Sequence, residues 1–222
     1  MTGKWMAAFV VAALSAGCGG SAYVNATPEQ AKEVLMNLEH PEMQQAAPDT
    51  VRARFETTKG AFVIEAVREL SPNGVDRFYN LVRHHYYDGN KFFRVLPGFI
   101  VQWGIHGTPE TNAVWSEARI PDDPVQITNA LGTVTFAKPN SPDSRSTHLF
   151  VNYKDNGHLD ATGFAPIGRV TEGMDVLEAI NAEYGQTPNQ GMIAQGGNDY
   201  LETYYPNLDA IVTARILVDG EQ

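Results

Sequence analysis

Cysteine and basic residues are scarce in this sequence. It has one cysteine in 222 residues, so neither an intramolecular disulfide framework nor a multi-cysteine zinc site can hold the fold together. Its 16 Lys and Arg residues form no run and are outnumbered by 26 Asp and Glu, which gives a formal net charge of −10 at pH 7. Because phosphate backbones are bound by basic faces, we expect no nucleic acid among the partners.

Long apolar runs are also missing, since no segment reaches the roughly 20 residues that a membrane-spanning helix needs. The composition is nevertheless 43% hydrophobic and 10% aromatic, which is typical of a chain that builds a packed core and not of a disordered chain. The length fits one large domain or two small ones.

The N-terminus is predicted to be a lipoprotein signal peptide. A charged start at 1–4 is followed by an apolar run of about ten residues and then by small residues. The sequence Leu-Ser-Ala-Gly-Cys, ending at Cys18, resembles the bacterial lipobox, although Ser15 stands where the lipobox usually has Leu. The resemblance implies a signal peptide over 1–17, membrane attachment through lipidated Cys18, and a location in the cell envelope on the periplasmic or extracellular side. A plain secretory signal is the alternative.

Residues 18–50 are predicted to be a tether with one short helix. Thr27 and Pro28 suit the N-cap and the first position of that helix, which should end before Pro41. After this segment the pattern changes to strand-like runs, so we place the main domain at 51–222.

The main domain combines short strand-like runs with two helical patterns. Apolar residues at helical spacing follow Ser71 and recur over 174–184, whereas 104–124 and 185–207 are predicted to be loops. The strand-like runs are 51–57, 61–66, 92–96, 99–103, 125–128, 133–137, 149–152, 165–170 and 210–218. About eight short strands without βαβ alternation predict a mainly β fold, a closed eight-stranded antiparallel β-barrel capped by two α-helices.

Three ordered blocks of this domain resemble the cyclophilin family of peptidyl-prolyl isomerases. The first, 92–104, reads Phe-Phe-Arg-Val-Leu-Pro-Gly-Phe-Ile-Val-Gln-Trp-Gly. It differs from the family signature at Phe93, where the family has His, and at Trp103, where it has Gly. The segments that form the other blocks are 132–137, 146–152 and 159–176. Together the blocks span nearly all of the domain, and the barrel predicted from periodicity agrees with the family fold.

The resemblance implies a peptidyl-prolyl cis-trans isomerase that acts on X-Pro bonds of exported proteins and assists their folding. Rotation about such a bond has a barrier of about 18–20 kcal/mol, because the nitrogen lone pair is delocalised into the carbonyl. A catalyst therefore has to favour the twisted amide and needs no metal or other cofactor. The implied partners are proline-containing polypeptides, and we expect a monomer. The alternative is a scaffold that binds proline segments with little turnover.

The functional residues of the family carry over to matching positions of this sequence. Arg94 matches the arginine that donates to the prolyl nitrogen as the amide twists, and Gln102 matches the glutamine that steadies it. These two are the predicted catalytic residues. The predicted substrate-binding residues are Phe99, Ile100, Ala137, Lys138, His148, Phe150, His158, Leu159 and Phe164.

Some of these positions depart from the family pattern. His148 stands where the family commonly has Gln, and its charge is expected to vary near pH 6.5. Lys138 replaces an Asn, His158 replaces a Trp or Phe, and Phe164 occupies the approximate place of a His. We expect these departures to change rate and preference more than function.

Other conspicuous residues are given structural interpretations. His84 and His85 lack a partnered carboxylate motif, so we expect no metal site there. Asp122 and Asp123 are predicted to form a turn. The tyrosines expected to pack the C-terminal loop against the barrel are Tyr200, Tyr204 and Tyr205.

Overall fold

The computed structural model describes residues 25–217. The predicted signal peptide at 1–17 and the predicted lipidation site, Cys18, lie outside the described residues. Within 25–217, no helix is long and apolar enough to cross a membrane.

The described chain contains α-helices, two short 3₁₀ turns (Pro41–Met43 and Gly157–Thr162) and eight strands. The helices are α1 (Pro28–Leu35), α2 (Pro72–Arg83), α3 (Pro109–Trp115), α4 (Met174–Glu178) and α5 (Gln190–Tyr204). The strands are β1 (Thr50–Thr57), β2 (Gly60–Val67), β3 (Arg94–Leu96), β4 (Ile100–Trp103), β5 (Thr133–Phe136), β6 (Leu149–Asn152), β7 (Pro166–Glu172) and β8 (Ile211–Ile216).

The strands pair as antiparallel neighbours in one sheet, in the order β3-β4-β6-β5-β7-β2-β1-β8. The predicted mainly β fold with eight antiparallel strands is confirmed. The predicted closure is wrong, because β3 and β8 stand at opposite ends of this order and leave an open half-barrel. The reason lies in β3, which has three residues and whose Val95 N–H donates to the carbonyl of Gly185 at 2.8 Å instead of to β8.

The main core lies between the sheet and α2. The fully buried side chains that α2 presents to it, at the predicted helical spacing, are Val75, Phe78, Leu81 and Val82. Phe55 of β1 stacks on Phe62 with 4.9 Å between ring centroids, and Trp103 meets both rings edge-on at 6.0 Å. Trp103, which stands in the place of a family glycine, therefore fills the core.

Helix α1 is docked on the main domain. Thr27 and Gln30 form a capping box that starts the helix as predicted, and Val34 and Leu35 are buried in the main core. The indole N–H of Trp115 donates to the carbonyl of Leu35 at 2.8 Å. The segment before the sheet thus covers part of the core.

Helices α3 and α5 form in stretches that were predicted to be loops. Helix α5 is rich in Gly and Asn, so its intrinsic helical propensity is low. It is kinked at Gly197, whose φ of 57° lies in the left-handed region and whose Cα faces the carbonyl of Gly107 too closely for a side chain. Tertiary packing holds the helix through a second apolar cluster, made of Phe93, Ile105, Ile193, Leu201 and Leu208. Phe93 thus packs against α5.

Two further predicted elements differ from the structure. The run 125–128 forms no strand, because the chain at its end is held by a side chain: Asp160 accepts hydrogen bonds from the hydroxyl of Thr128 at 2.6 Å and from the backbone of Asn129 at 2.9 Å. The helix predicted over 174–184 ends at Glu178.

Candidate active site

The site is built on one face of the neighbouring strands β3, β4 and β6. In the antiparallel register Arg94 lies opposite Gln102, and Gln102 lies opposite Phe150. Because successive residues of a strand point to opposite sides, these three side chains share one face of the sheet. The next row, which is buried in the core, is Val95, Val101 and Val151. Strand register therefore sets both the order of the site residues and the apolar support behind them.

These side chains open onto a cavity of about 600 Å³. The predicted site residues that line it are Arg94, Phe99, Ile100, Gln102, Ala137, Lys138, His148, Phe150, Leu159 and Phe164. His158 is the exception, because its exposed ring lies outside the cavity and stacks on Phe99 with 6.2 Å between centroids. The structure thus brings together in one place residues that are up to 70 positions apart in sequence, from Arg94 to Phe164.

One half of the cavity is apolar. Phe150 and Phe164 meet edge-to-face with 5.9 Å between ring centroids, and Leu159 and Ile100 add aliphatic surface. Such a concave apolar surface can enclose a small aliphatic ring and shield it from water.

Arg94 stands at the edge of this apolar half and is partly buried. Its guanidinium donates to the side-chain oxygens of Gln102 and Gln186, each at 3.3 Å, and lies 5.8 Å from the Phe99 ring centroid. Burial lowers the pKa of Arg94 from its ordinary value. Among residues 25–217 no carboxylate lies within ion-pair distance of this guanidinium, so its hydrogen bonds go to neutral amides. The charge is therefore available to a ligand.

His148 behaves differently from the sequence-based expectation. Its ring is partly buried where it lines the cavity beside Phe93, with 5.7 Å between ring centroids, and desolvation by the surrounding protein lowers its pKa from 6.5 to about 4. The predicted variation of charge near pH 6.5 is wrong, because the charged form is disfavoured by desolvation. His148 is therefore a neutral donor and acceptor at physiological pH.

A buried charge network stands behind the cavity, where the sequence predicted only a turn. Asp123 accepts a hydrogen bond from Arg145 at 2.9 Å, and both side chains are almost fully buried. Asp123 also accepts from the hydroxyl of Ser71 at 2.5 Å and from the backbone of Gly74 at 2.9 Å, so it caps the start of α2 from a distant loop. Burial alone would raise the pKa of Asp123, but these hydrogen bonds and Arg145 lower it.

The rim of the cavity includes residues that the sequence did not single out. Those contributed by α3, α5 and the chain next to them include Asn112, Ser116, Gln190 and Ala194. Gln186, just before α5, accepts a hydrogen bond from Arg94. They were missed because 104–124 and 185–207 were predicted to be loops. A signal for α5 existed in Ile193 and Leu201, but the glycines between them conceal the helical spacing.

The histidine pair and the tyrosines have structural surroundings. His84 is buried and bonds the carbonyl of Asn80 through its Nδ1 at 2.9 Å. In the described part of the chain no group of three His, Cys, Asp or Glu side chains could hold a metal ion. Among the C-terminal tyrosines, Tyr205 meets Tyr200 and Tyr184 edge-to-face, with 5.9 Å and 5.2 Å between ring centroids.

The sequence is similar to those of known proteins. The model of the cyclophilin type peptidyl-prolyl cis-trans isomerases matches residues 52–198. The chain is 36% identical over 132 residues to the peptidyl-prolyl cis-trans isomerase cyp18 of Streptomyces antibioticus, covering 56% of this chain and 79% of that protein.

The fold agrees with solved cyclophilin structures. A cyclophilin type peptidyl-prolyl cis-trans isomerase of Cryptosporidium parvum superposes with a TM-score of 0.59 at 17% identity, covering 77% of this chain and 99% of that one. The same Cryptosporidium protein in the presence of the dipeptide Ala-Pro gives a TM-score of 0.56 at 17% identity, covering 76% and 99%. The match of the family model over most of the main domain, the sequence identity and the site built on β3, β4 and β6 lead to one conclusion: the chain belongs to the cyclophilin-type peptidyl-prolyl cis-trans isomerases.

Proposed function

We propose that Arg94 catalyses rotation about X-Pro bonds by hydrogen bonding the prolyl nitrogen while the amide is twisted. In the planar amide this nitrogen is a poor acceptor because its lone pair is delocalised. As the bond twists, the lone pair localises and a cationic donor gains interaction energy that it lacked in the ground state. An interaction that strengthens only in the transition state raises the rate of the chemical step. No covalent bond forms or breaks.

The apolar half of the cavity is proposed to hold the proline ring while the preceding residue rotates. Phe99, Phe150 and Phe164 line this half, and Gln102 lies between Arg94 and Phe150 in the strand register. In this arrangement Gln102 accepts a hydrogen bond from the guanidinium and is proposed to bond the substrate backbone from the cavity wall. The observation that carries the proposal is the charge of Arg94, which has neutral amides as partners and stands beside an apolar cavity.

The proposal is tested by measuring isomerisation of an Ala-Ala-Pro-Phe peptide by exchange NMR with the purified protein. Arg94→Ala is expected to lower kcat/KM more than tenfold, which corresponds to about 1.4 kcal/mol of transition-state stabilisation. Arg94→Lys keeps the charge but loses the planar fork and should recover only part of the rate. Activity of Arg94→Ala within twofold of the wild type would contradict the mechanism. Peptide binding without turnover in the wild type would favour the scaffold function instead.

The clients are proposed to be exported proteins, met at the surface of a bacterial membrane to which lipidated Cys18 attaches the chain. Support comes from the lipobox-like segment that ends at Cys18 and from the apolar run before it, which is too short to span a bilayer. Each buried methylene of an acyl chain contributes about 0.8 kcal/mol to attachment. The isomerase would act there as a monomer, which sedimentation in detergent can check.

Cys18→Ser tests this location. The variant is expected to appear in the soluble fraction after cell lysis and a high-salt wash, whereas the wild type sediments with membranes. Mass spectrometry of the mature N-terminus should find acyl chains on the wild type alone. A variant that stays on membranes after its signal peptide has been cleaved would contradict the lipid anchor.

A further inference from the structure

Three separate segments of the chain meet at the ammonium group of Lys138. Its Nζ lies 2.6 Å from a carboxylate oxygen of Asp122 and 5.9 Å from the ring centroid of Phe164. Gly163 passes so close that a methyl group on its Cα would lie 3.4 Å from Nζ. The Lys138 side chain is only 6% exposed, so it spans the cavity wall instead of extending into solvent.

The carboxylate that holds Lys138 is itself fixed. The other oxygen of Asp122 lies 3.4 Å from Nε of Arg145, a side chain that is 1% exposed. Asp122 and Asp143 also exchange hydrogen bonds: the backbone N–H of Asp122 donates to the Asp143 side chain at 2.7 Å, and that of Asp143 donates to the Asp122 side chain at 3.1 Å. Arg145 in turn pairs with Asp123, which accepts a hydrogen bond from the backbone of Gly74 at the start of α2. Lys138 is thus tied through Asp122 to the rigid core.

The ion pair with Asp122 argues against a role for Lys138 in binding charged substrate residues. Its charge is compensated by Asp122 at direct contact and is almost shielded from solvent, so it is poorly placed to attract an acidic substrate residue. What its ammonium does face is the ring of Phe164, at a distance suited to a cation–π contact. Phe164 in turn closes the apolar half of the cavity against Phe150.

We infer that Lys138 is a positioning residue: together with Asp122 it clips the 163–164 loop to the core and fixes the Phe164 ring over the proline pocket. The inference rests on the proposed use of this cavity for the proline ring. Because Arg94 and Gln102 are held by the pairing of β3 with β4, loss of the clip leaves them in place. The clip should therefore govern how tightly proline is held and have little influence on the rate of rotation once it is bound.

The experiment measures Ala-Ala-Pro-Phe binding by NMR titration and the exchange rate at saturation, on the full chain. Lys138→Met keeps the aliphatic stem and removes the charge, and it should raise KM about fivefold with kcat within twofold of the wild type. Asp122→Asn should have a similar effect, and the double variant should be no worse than either alone, because both changes open the same clip. Lys138→Arg should restore tight binding. Lys154→Met, at an exposed lysine outside the cavity, is the matched control.

The aromatic resonance of Phe164 gives a second readout. In Lys138→Met it should shift and broaden, and Asp122→Asn should reproduce the change even where the lysine variant is too unstable to study. Wild-type KM together with an unchanged Phe164 signal in both variants would overturn the inference. Failure of the underlying function would look different, since the peptide would then leave the resonances of Phe99 and Phe150 unmoved in the wild type.

Discussion

The cavity has two walls that are fixed in different ways. In one, Arg94, Gln102 and Phe150 are held by a continuous backbone ladder whose opposite face is packed core. In the other, Lys138 and Asp122 are held by ion pairs between side chains from distant segments. A ladder distributes its stability over many backbone hydrogen bonds, whereas a charge network concentrates it in a few atoms. Single substitutions should therefore alter the rate of rotation in the strand wall, and stability and substrate affinity in the wall formed by the loops.

The largest effect is expected at Asp123, the most buried carboxylate of the charge network. Asp123→Ala removes the nearer carboxylate of the buried Arg145 guanidinium, leaving only Asp122 at 3.4 Å, and it also removes the cap of α2. Breaking a buried ion pair on one side typically costs about 3–5 kcal/mol, because the remaining charge stays desolvated. We expect a loss of this size in the free energy of unfolding, measured by urea denaturation.

A matched control lies close by. Glu117→Ala breaks the pair between Glu117 and Arg119, whose side chains are 75% and 57% exposed. Exposed pairs contribute about 0–1 kcal/mol, so this variant should unfold nearly as the wild type does. Equal losses in Asp123→Ala and Glu117→Ala would mean that the charge network does not brace this wall.

The two walls also differ in how far the sequence could predict them. The resemblance of the segment 92–104 to the cyclophilin signature located Arg94 and Gln102, and the alternation of side chains along the strands sets which of them share a face. The role of Asp123 was missed, since its partners Ser71 and Arg145 lie far away in sequence and only the folded chain brings them together. Local composition could suggest a turn there and nothing more.

The fold shows the same limit. Eight antiparallel strands and α2 follow from periodicity, but closure of the barrel depends on whether the two edge strands pair, and no pattern within either strand specifies that. Helix α5 forms against Phe93 and Ile105, so tertiary contacts and not propensity determine it. For this reason the sequence did not identify Gln190, which lines the cavity, or Gln186, which accepts a hydrogen bond from Arg94.

The pH dependence of the free energy of unfolding tests whether the ring of His148, which lines the cavity, is shielded from water. A base whose folded pKa lies below its unfolded value binds more protons when unfolded, so its contribution to stability decreases as the pH falls. With a pKa of about 4 against 6.5, the wild type should lose about 2 kcal/mol between pH 7 and pH 5 relative to His148→Gln. Urea denaturation at both pH values measures this difference.

Activity, unlike stability, should not change with pH in this range. Because His148 stays neutral above its lowered pKa, kcat/KM of the wild type should show no step near pH 6.5. The comparison with His148→Gln removes the contributions of the other buried histidines, which both proteins share. Parallel stability profiles for the two proteins, or a titration of activity near pH 6.5, would show that water reaches the ring.

The smallest effect is expected for the two glutamines that accept hydrogen bonds from Arg94, one on a strand and the other on a loop. Gln102 is a strand residue and is 4% exposed, whereas Gln186 lies on an exposed loop next to α5. A buried acceptor keeps its geometry without competition from water, so Gln102→Ala should lower kcat/KM about tenfold. Water can replace the exposed acceptor, so Gln186→Ala should lower it less than threefold.

The measurement is again exchange NMR on the Ala-Ala-Pro-Phe peptide, with Thr187→Ala as the control for substitution in the same loop. Gln102→Glu sharpens the comparison, because a carboxylate there would compensate the charge of Arg94 and should lower the rate even though the hydrogen bond is kept. If Gln186→Ala were as damaging as Gln102→Ala, the loop would hold the guanidinium as firmly as the strand does. Strand and loop would then support Arg94 equally well. The comparison between the two kinds of wall would fail at this residue, where catalysis is proposed to occur.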